Sequence, residues 1–257
     1  MPIKLVSPEN EKPLAGNIPI WRYMGLEKFL DLITNNRIRF VRASLLSDKR
    51  ELSLPLDQLE SDYYKTFADI DQSSSKHQQA YEELRHMRDH VSQLKDQVFL
   101  NCWSIAQHES YALWKIYLGG AKAGIAIKSS VAALKKSFIS SKDRTVHMSR
   151  VDYIEDVRTK DIPDRYFITN KSKHYEYEKE LRLYALDSPN NHDAINWNLS
   201  NMTASSMLFD VDPSILINEI YLSPFVIGGF RKTIEQVIRK VNPDIRAKIH
   251  NSAVRDS

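Results

Sequence analysis

The 257-residue chain carries 36 Lys and Arg against 33 Asp and Glu, a net charge of +3, and 42% of its residues are hydrophobic, enough for one large domain with a substantial core. No apolar run approaches the ~18 residues a membrane span needs, and Met1 to Pro8 lacks an apolar stretch of signal-peptide length, so a cytoplasmic protein with no membrane partner is expected. The lone Cys102 excludes an intrachain disulfide and, within Phe99-Leu100-Asn101-Cys102-Trp103, is predicted to be a buried small hydrophobe.

Residues 1–17, with Pro2, Pro8, Pro13 and Gly16 and no periodicity, read as an extended lead-in to a single domain over 18–257. Ile18 to Tyr23 predicts a strand, Gly25 to Asn35 a helix with Leu26, Phe29, Leu30 and Ile33 on one face, and Arg37 to Arg42 a second strand. Two polar helices, Leu56 to about Ala68 and Lys76 to about Lys95, predict a peripheral helical hairpin inserted at about 55–96, with a polar break at Asp71 to Ser75. Strands follow at Gln97–Ser104, Ala123–Lys128 and Thr145–Ile154, with helices at Glu109–Leu118, Val131–Phe138 and Asp164 to about His174. A polar loop at Asp187–Asn201, strands at Met207–Val211 and Glu219–Leu222, a helix from about Gly229 to Val241 and a strand near Ile245–His250 complete the chain. Strands do not alternate regularly with helices, so the predicted class is α+β with a mixed, mostly antiparallel sheet.

The segment Tyr175 to Leu186 sorts into two chemically opposite faces when taken as a strand. Leu181, Leu183 and Ala185 point one way, and Glu178, Glu180, Arg182 and Tyr184 the other. Two aligned carboxylates need a cationic neighbour or a ligand bearing positive charge. The bland alternative is a helix end with an exposed Glu178–Arg182 pair. His86 and His90 have zinc-gripping i,i+4 spacing, but Met87 stands where a metalloprotease places Glu, so a solvated helix face is expected. Gly119 to Gly124 matches neither a dinucleotide fingerprint nor a phosphate loop, and no Gly-x-Ser-x-Gly elbow occurs.

From Ile20 to about Ser252, the order Trp21-Arg22-Tyr23, Arg37-Ile38-Arg39-Phe40, Leu46 to Glu51, Cys102-Trp103-Ser104, Leu113-Trp114-x-x-Tyr117, Lys122-x-Gly124 and Tyr177-Glu178-Lys179-Glu180-Leu181-Arg182 resembles a prokaryotic domain-of-unknown-function family of bacteria, phages and defence loci. The layout of that family is similar to ADP-ribosyltransferases, particularly toxins of toxin–antitoxin systems that modify nucleic acid. The resemblance implies an ADP-ribosyltransferase-like fold, NAD as substrate and no metal. It matches Arg22 to the position on the first strand, Ser104 to the middle motif (Cys-Trp-Ser where that pattern has Ser-Thr-Ser) and Glu180 to the catalytic Glu. Cleaving the nicotinamide–ribose bond leaves positive charge on the sugar, which a fixed Glu180 carboxylate would stabilise while Glu178 orients or deprotonates the nucleophile. Arg22 would pair with the pyrophosphate or ribose, and Tyr23 with Trp114 or Tyr117 would stack on nicotinamide. An RNA or DNA acceptor is expected to meet Arg37, Arg39 and Arg42, and an antitoxin is a further expected partner. Two other classes stay open. One is a metal-dependent nuclease built on Glu51, Glu178 and Glu180, and the other is a non-catalytic sensor or binding module in which these charges are structural.

Overall fold

The computed structural model describes residues 5–6, 14–47, 51–68, 74–139, 145–155, 164–187, 204–226 and 228–254. Much of the expected lead-in, residues 71–73 of the polar break and nearly all of the loop after Asp187 lie outside them. In chain order the elements are β1 (Leu5–Val6), β2 (Pro19–Gly25), α1 (Leu26–Asn35), β3 (Arg37–Arg42), α2 (Leu54–Phe67), α3 (Ser75–Gln97), β4 (Val98–Ile105), α4 (Tyr111–Leu118), β5 (Gly124–Ser130), α5 (Val131–Ser137) and β6 (Val146–Arg150). Then come β7 (Asp152–Ile154), α6 (Asp164–Thr169), β8 (Asn170–Ser172), a 3-10 turn (Lys173–Glu178), β9 (Glu180–Leu186), β10 (Ser206–Asp210), α7 (Pro213–Leu216), β11 (Glu219–Leu222), α8 (Phe230–Val241) and β12 (Lys248–Asn251). The class is mixed α and β, with a mostly antiparallel sheet in the order β1-β6-β9-β4-β2-β5-β11-β12 and with β3 and β10 branching from β4.

Local chemistry sets several of these boundaries. Helix α1 buries Phe29, Leu32 and Ile33 and stops where Asn36 turns left-handed (φ 51), a conformation that asparagine tolerates. Ser110 accepts the Leu113 N–H to open α4, and left-handed Gly119 closes it, its own N–H returned to the Lys115 carbonyl.

The branch at β4 is the feature that positions the site. One edge of β4 pairs with β9 along its length, from Val98↔Leu186 to Ser104↔Glu180. The other edge is shared, β2 taking Ser104 and Ile105 and β3 taking Phe99 and Leu100. Asn101, Cys102 and Trp103 therefore face a fork in the sheet rather than a strand. Buried backbone groups left there need partners, and side chains supply them. Arg22 Nη1 donates to the Cys102 carbonyl at 2.6 Å and to Asn101 Oδ1 at 2.8 Å. The same Asn101 oxygen accepts Trp103 Nε1 at 2.8 Å, and Asn101 Nδ2 donates to the Arg39 carbonyl of β3 at 2.8 Å.

One face of the sheet, with Ile20, Met24, Trp103, Leu181, Leu183 and Ala185, packs under α1, α5, α7 and α8 as the main core. The opposite face holds two smaller cores. Trp21 and Tyr23 pack with Leu113, Trp114 and Leu118 of α4, and Leu100, Tyr184 and Leu186 pack with Val91 and Leu94 of α3 and with Phe167 and Ile168 of α6. Helices α2 and α3 contact each other through Arg88–Glu60 and Tyr63–His77. Helix α3 buries one stripe, Leu84, Val91 and Leu94.

Three element boundaries differ from expectation. The strand over 145–154 is broken at Val151, whose N–H is claimed by the Glu180 carbonyl, and β7 leaves the main sheet to pair with β8. The helix from 164 stops at Thr169. Strand β9 starts only at Glu180, because left-handed Lys179 (φ 45) separates it from the turn carrying Glu178. Among the described residues, no helix is long and apolar enough to cross a membrane.

Replacing Asn101 with Ala strands the Trp103 indole N–H and the Arg39 carbonyl at a nearly inaccessible point. The expected loss is about 3 kcal/mol, read as a melting temperature lower by about 6–12 °C. A shift under about 2 °C would show that the fork does not depend on Asn101.

Candidate functional site beside the sheet fork

Strand alternation separates Trp21 and Tyr23, which face the α4 core, from Arg22, which shares a face with Ile20 and Met24. At the fork the two faces meet. Trp21, Arg22, Tyr23, Cys102, Trp103, Ser104, Leu113, Tyr117, Glu178 and Glu180 line one small pocket.

The floor is a buried charge network. Arg182, 0% exposed, donates Nε to Glu180 Oε1 at 2.7 Å, Nη2 to Glu180 Oε2 at 2.9 Å and to Glu51 Oε1 at 2.6 Å, and Nη1 to the Ile168 carbonyl at 2.6 Å. Lys171 reaches Glu178 at 2.9 Å, Glu51 at 3.2 Å and Glu180 at 3.9 Å. Three carboxylates against two cations leave one net negative charge. Leu52, beside Glu51, is held at φ 60, a strained conformation for a bulky residue. Glu180 is also fixed through its backbone, its N–H donating to Tyr153 Oη at 2.8 Å. Ser104 Oγ donates to the Glu178 carbonyl at 2.8 Å, tying the turn to β4.

The two carboxylates at the pocket are pushed apart. Burial alone would raise the Glu180 pKa, but the charge and hydrogen bonds of Arg182, helped by Lys171, overcome it and hold Glu180 down at about 2. For Glu178 burial prevails over Lys171, so its pKa is raised. Burial likewise raises the Cys102 thiol, and the nearby Glu180 charge acts in the same direction. On the open wall, Tyr117 is 45% exposed and its ring lies 6.3 Å from that of Tyr23 at 17°. Its hydroxyl makes no hydrogen bond with the described residues, and burial of that end, with Cys102, Glu180 and Glu178 nearby, raises its pKa.

Of the residues expected from sequence, Arg22, Tyr23, Ser104, Tyr117, Glu178 and Glu180 therefore share the pocket. Trp114 does not. It is fully buried behind Tyr23, ring centroids 5.0 Å apart and edge-on, with Nε1 donating to Glu109. Tyr23 is wall rather than free stacking surface, its hydroxyl accepting the Ser110 N–H at 2.7 Å. Cys102, expected to be a buried small hydrophobe, is partly buried, packs against the core around Leu100 and Tyr184, and also lines the pocket.

Arg42 is withdrawn from the phosphate-contact set, since it is buried, donates to the Ala204 carbonyl and lies 4.0 Å from Asp96. Arg37 pairs with Asp31 at 2.9 Å, and Arg39 reaches Asp31 at 3.4 Å and Ser206 at 3.0 Å. His90 packs on Phe167 at 5.3 Å, and among the described residues no group of three or more His, Cys, Asp or Glu is arranged to hold a metal ion. Lys171, Asn101 and Tyr153 escaped the sequence reading. Only Asn101, polar within an apolar strand, offered a signal. Comparison with protein-family models, curated proteins and solved structures returns no match.

The opposite shifts give opposite pH dependences. Glu180, lowered, adds stability that is present above the ordinary value of 4.5 and lost as pH falls toward about 2. Glu178, raised, favours the fold while protonated, and that contribution is lost as pH rises from 4.5 through its raised value. In urea midpoints measured across acidic to neutral pH, Glu180→Gln should flatten the acid limb and Glu178→Gln the limb above it. Unchanged slopes in both variants would refute the assignment.

Proposed function

We propose that this chain is an NAD-dependent ADP-ribosyltransferase acting in the manner of a toxin or anti-phage effector on a nucleic-acid acceptor. The observation that carries this reading is the convergence of Arg22, Tyr23, Ser104, Tyr117, Glu178 and Glu180, from four separate chain segments, on one pocket above a buried network of carboxylates and cations. On this reading the branched sheet is of ADP-ribosyltransferase-like type and α2–α3 is its helical insertion.

NAD supplies a glycosidic bond whose cleavage puts positive charge on ribose. Glu180, kept ionised, stabilises that charge electrostatically. Glu178, with its raised pKa, is the carboxylate suited to take a proton from the nucleophile. Tyr117 offers an uncommitted hydroxyl and an exposed ring to the nicotinamide end. Arg22, whose guanidinium has no carboxylate partner among the described residues, offers its remaining N–H groups to phosphate oxygens.

A specific observation favours a second reading, a binding module whose charges are structural: Glu180 is 4% exposed and clasped bidentately by Arg182. The nuclease reading is supported less, because Glu51, Glu178 and Glu180 spend their oxygens on Lys171 and Arg182.

Glu180→Gln cannot separate the first two readings, since breaking a buried pair costs about 3–5 kcal/mol. Tyr117→Phe can. It should leave stability within about 0.5 kcal/mol while lowering transfer of label from NAD to separate pools of RNA, DNA and protein by about tenfold or more, as expected for a hydroxyl that contacts the reacting group. Glu178→Gln should lower kcat more than KM. If the wild-type protein consumes no NAD with any pool, the transferase reading fails. Label confined to protein would remove only the nucleic-acid acceptor.

A further inference from the structure

Glu178 and Glu180 line one pocket although no continuous strand aligns them. Left-handed Lys179 breaks the chain between them, and the turn from Lys173 to Glu178 buries none of its own residues. Contacts from outside the turn must therefore hold the Glu178 side chain. The short parallel pair β7–β8, which stands apart from the main sheet, grips the break on both sides. Tyr153 and Lys171 are register partners across that pair. Tyr153 Oη accepts the Glu180 N–H at 2.8 Å, just after the break, and Lys171 Nζ donates to Glu178 Oε2 at 2.9 Å, just before it.

Lys171 meets the turn at two points. Residues three apart eclipse one another in a 3-10 turn, which sets Tyr175 and Glu178 on one side, and the ammonium touches both, lying 4.7 Å from the centre of the Tyr175 ring. Glu51 at 3.2 Å and Glu180 at 3.9 Å anchor the same ammonium from outside the turn. The backbone has its own ties, from Ser104 Oγ to the Glu178 carbonyl and from the Ile105 N–H to the Lys179 carbonyl. These fix the main chain but leave the Glu178 carboxyl free to turn about its side-chain bonds. Only one of its oxygens is taken by Lys171, which does not itself line the pocket.

We propose that Lys171 is a positioning residue, a peg that holds the turn and one oxygen of Glu178 so that the other oxygen is presented to a bound molecule. Its effect on turnover rests on the transferase reading, whereas the peg itself does not. Misplacing a reacting group by about 1 Å can cost about a hundredfold in rate, so a carboxylate on an otherwise unburied turn gains from such a peg. Lys171 also favours the ionised form of Glu178, against burial and the charges of Glu180 and Glu51, which raise its pKa. Tyr153, Tyr117 and Cys102 are the neutral titratable groups beside it.

The first test needs no turnover. In protein labelled with [13C]glutamate, the Glu178 carboxyl signal is assigned by its loss in Glu178→Gln. Its titration midpoint should rise by about one pH unit in Lys171→Met, where the cation is gone, and stay near the wild-type position in Lys171→Arg. Hydrogen exchange of the amides of residues 174–179 should quicken about threefold or more in Lys171→Met, and also in Glu178→Gln, which removes the charge from the same contact, while β4 amides keep their rates. A midpoint in Lys171→Met equal to that of the wild type overturns the peg. Should Lys171→Met not fold, having left buried carboxylates short of a cation, wild-type exchange of the turn in Glu178→Gln overturns it instead. In NAD consumption, Lys171→Met should lower kcat by about tenfold with KM little changed, Lys171→Arg should restore most of the loss, and Lys171→Met should cost nothing further in a Glu178→Gln background. Losses that add in the double variant would show that Lys171 does not act through Glu178 and overturn the positioning role. A wild type that consumes no NAD sinks the transferase, while the titration and the exchange still decide the peg.

Discussion

A guanidinium with no access to water must find acceptors within the fold for its N–H groups and an opposite charge to offset its own. Arg182 meets this demand with Glu180, Glu51 and the Ile168 carbonyl. Those partners come from β9 itself, from the segment entering α2 and from α6, so one side chain requires three distant parts of the chain to be in register. Lys171 on β8 repeats the requirement from the other side and adds the turn that carries Glu178. Sequence separation between partners reaches 131 residues. The pocket floor therefore assembles only as the tertiary structure closes. Strain at Leu52 fits this picture, since a residue held left-handed needs its surroundings to over-determine it, and Glu51 beside it is bound to both cations.

The fork supplies what an unbroken sheet withholds. In continuous pairing the side chains of β2 alternate between two faces, and Arg22 would have no route to the chemistry beside Tyr23. Because β2 leaves β4 after Trp21 and β3 joins it only at Leu100, a gap three residues long lets Arg22 reach across. The gap would be costly if its backbone groups were left bare. Arg22 and Asn101 fill it, so an arginine that lines the pocket also helps hold the sheet together. Its pKa is lowered, first by burial, which marks a cation only partly repaid by neutral acceptors.

Much of this was legible from residue order. The period-two face of Glu180, Arg182 and Tyr184 stands opposite Leu181, Leu183 and Ala185 as expected, because burial on both sides of a central strand leaves the register no freedom. Strands β3 and β11 fall at their expected bounds, and α1, α4 and α8 within two residues at each end. What escaped notice depended on long-range partners. Nothing local in Asn170-Lys171-Ser172 reveals that Lys171 will meet three carboxylates. The broken strand at Val151 follows from a hydrogen bond to Glu180, 29 positions away by the numbering. Trp114 and Arg42 were misplaced for a related reason: aromatic and cationic side chains signal a site only when left uncommitted, and Glu109 and the Ala204 carbonyl had already claimed these two.

The distribution of commitment among the pocket residues also ranks them. Glu180 has both oxygens engaged by Arg182, so it can serve a ligand as a fixed charge but poorly as a proton acceptor. Glu178, 16% exposed and bound to Lys171 through one oxygen, keeps a lone pair free and has a pKa raised by burial. Tyr117 is freer still. The groups that hold the site together thus lie beneath it and are nearly inaccessible, while those able to act on a bound molecule lie at its open edge. Substitutions at Arg182 or Glu180 are therefore expected to disturb the fold itself, whereas Tyr117, which makes no hydrogen bond with the described residues, can be changed with the buried network intact.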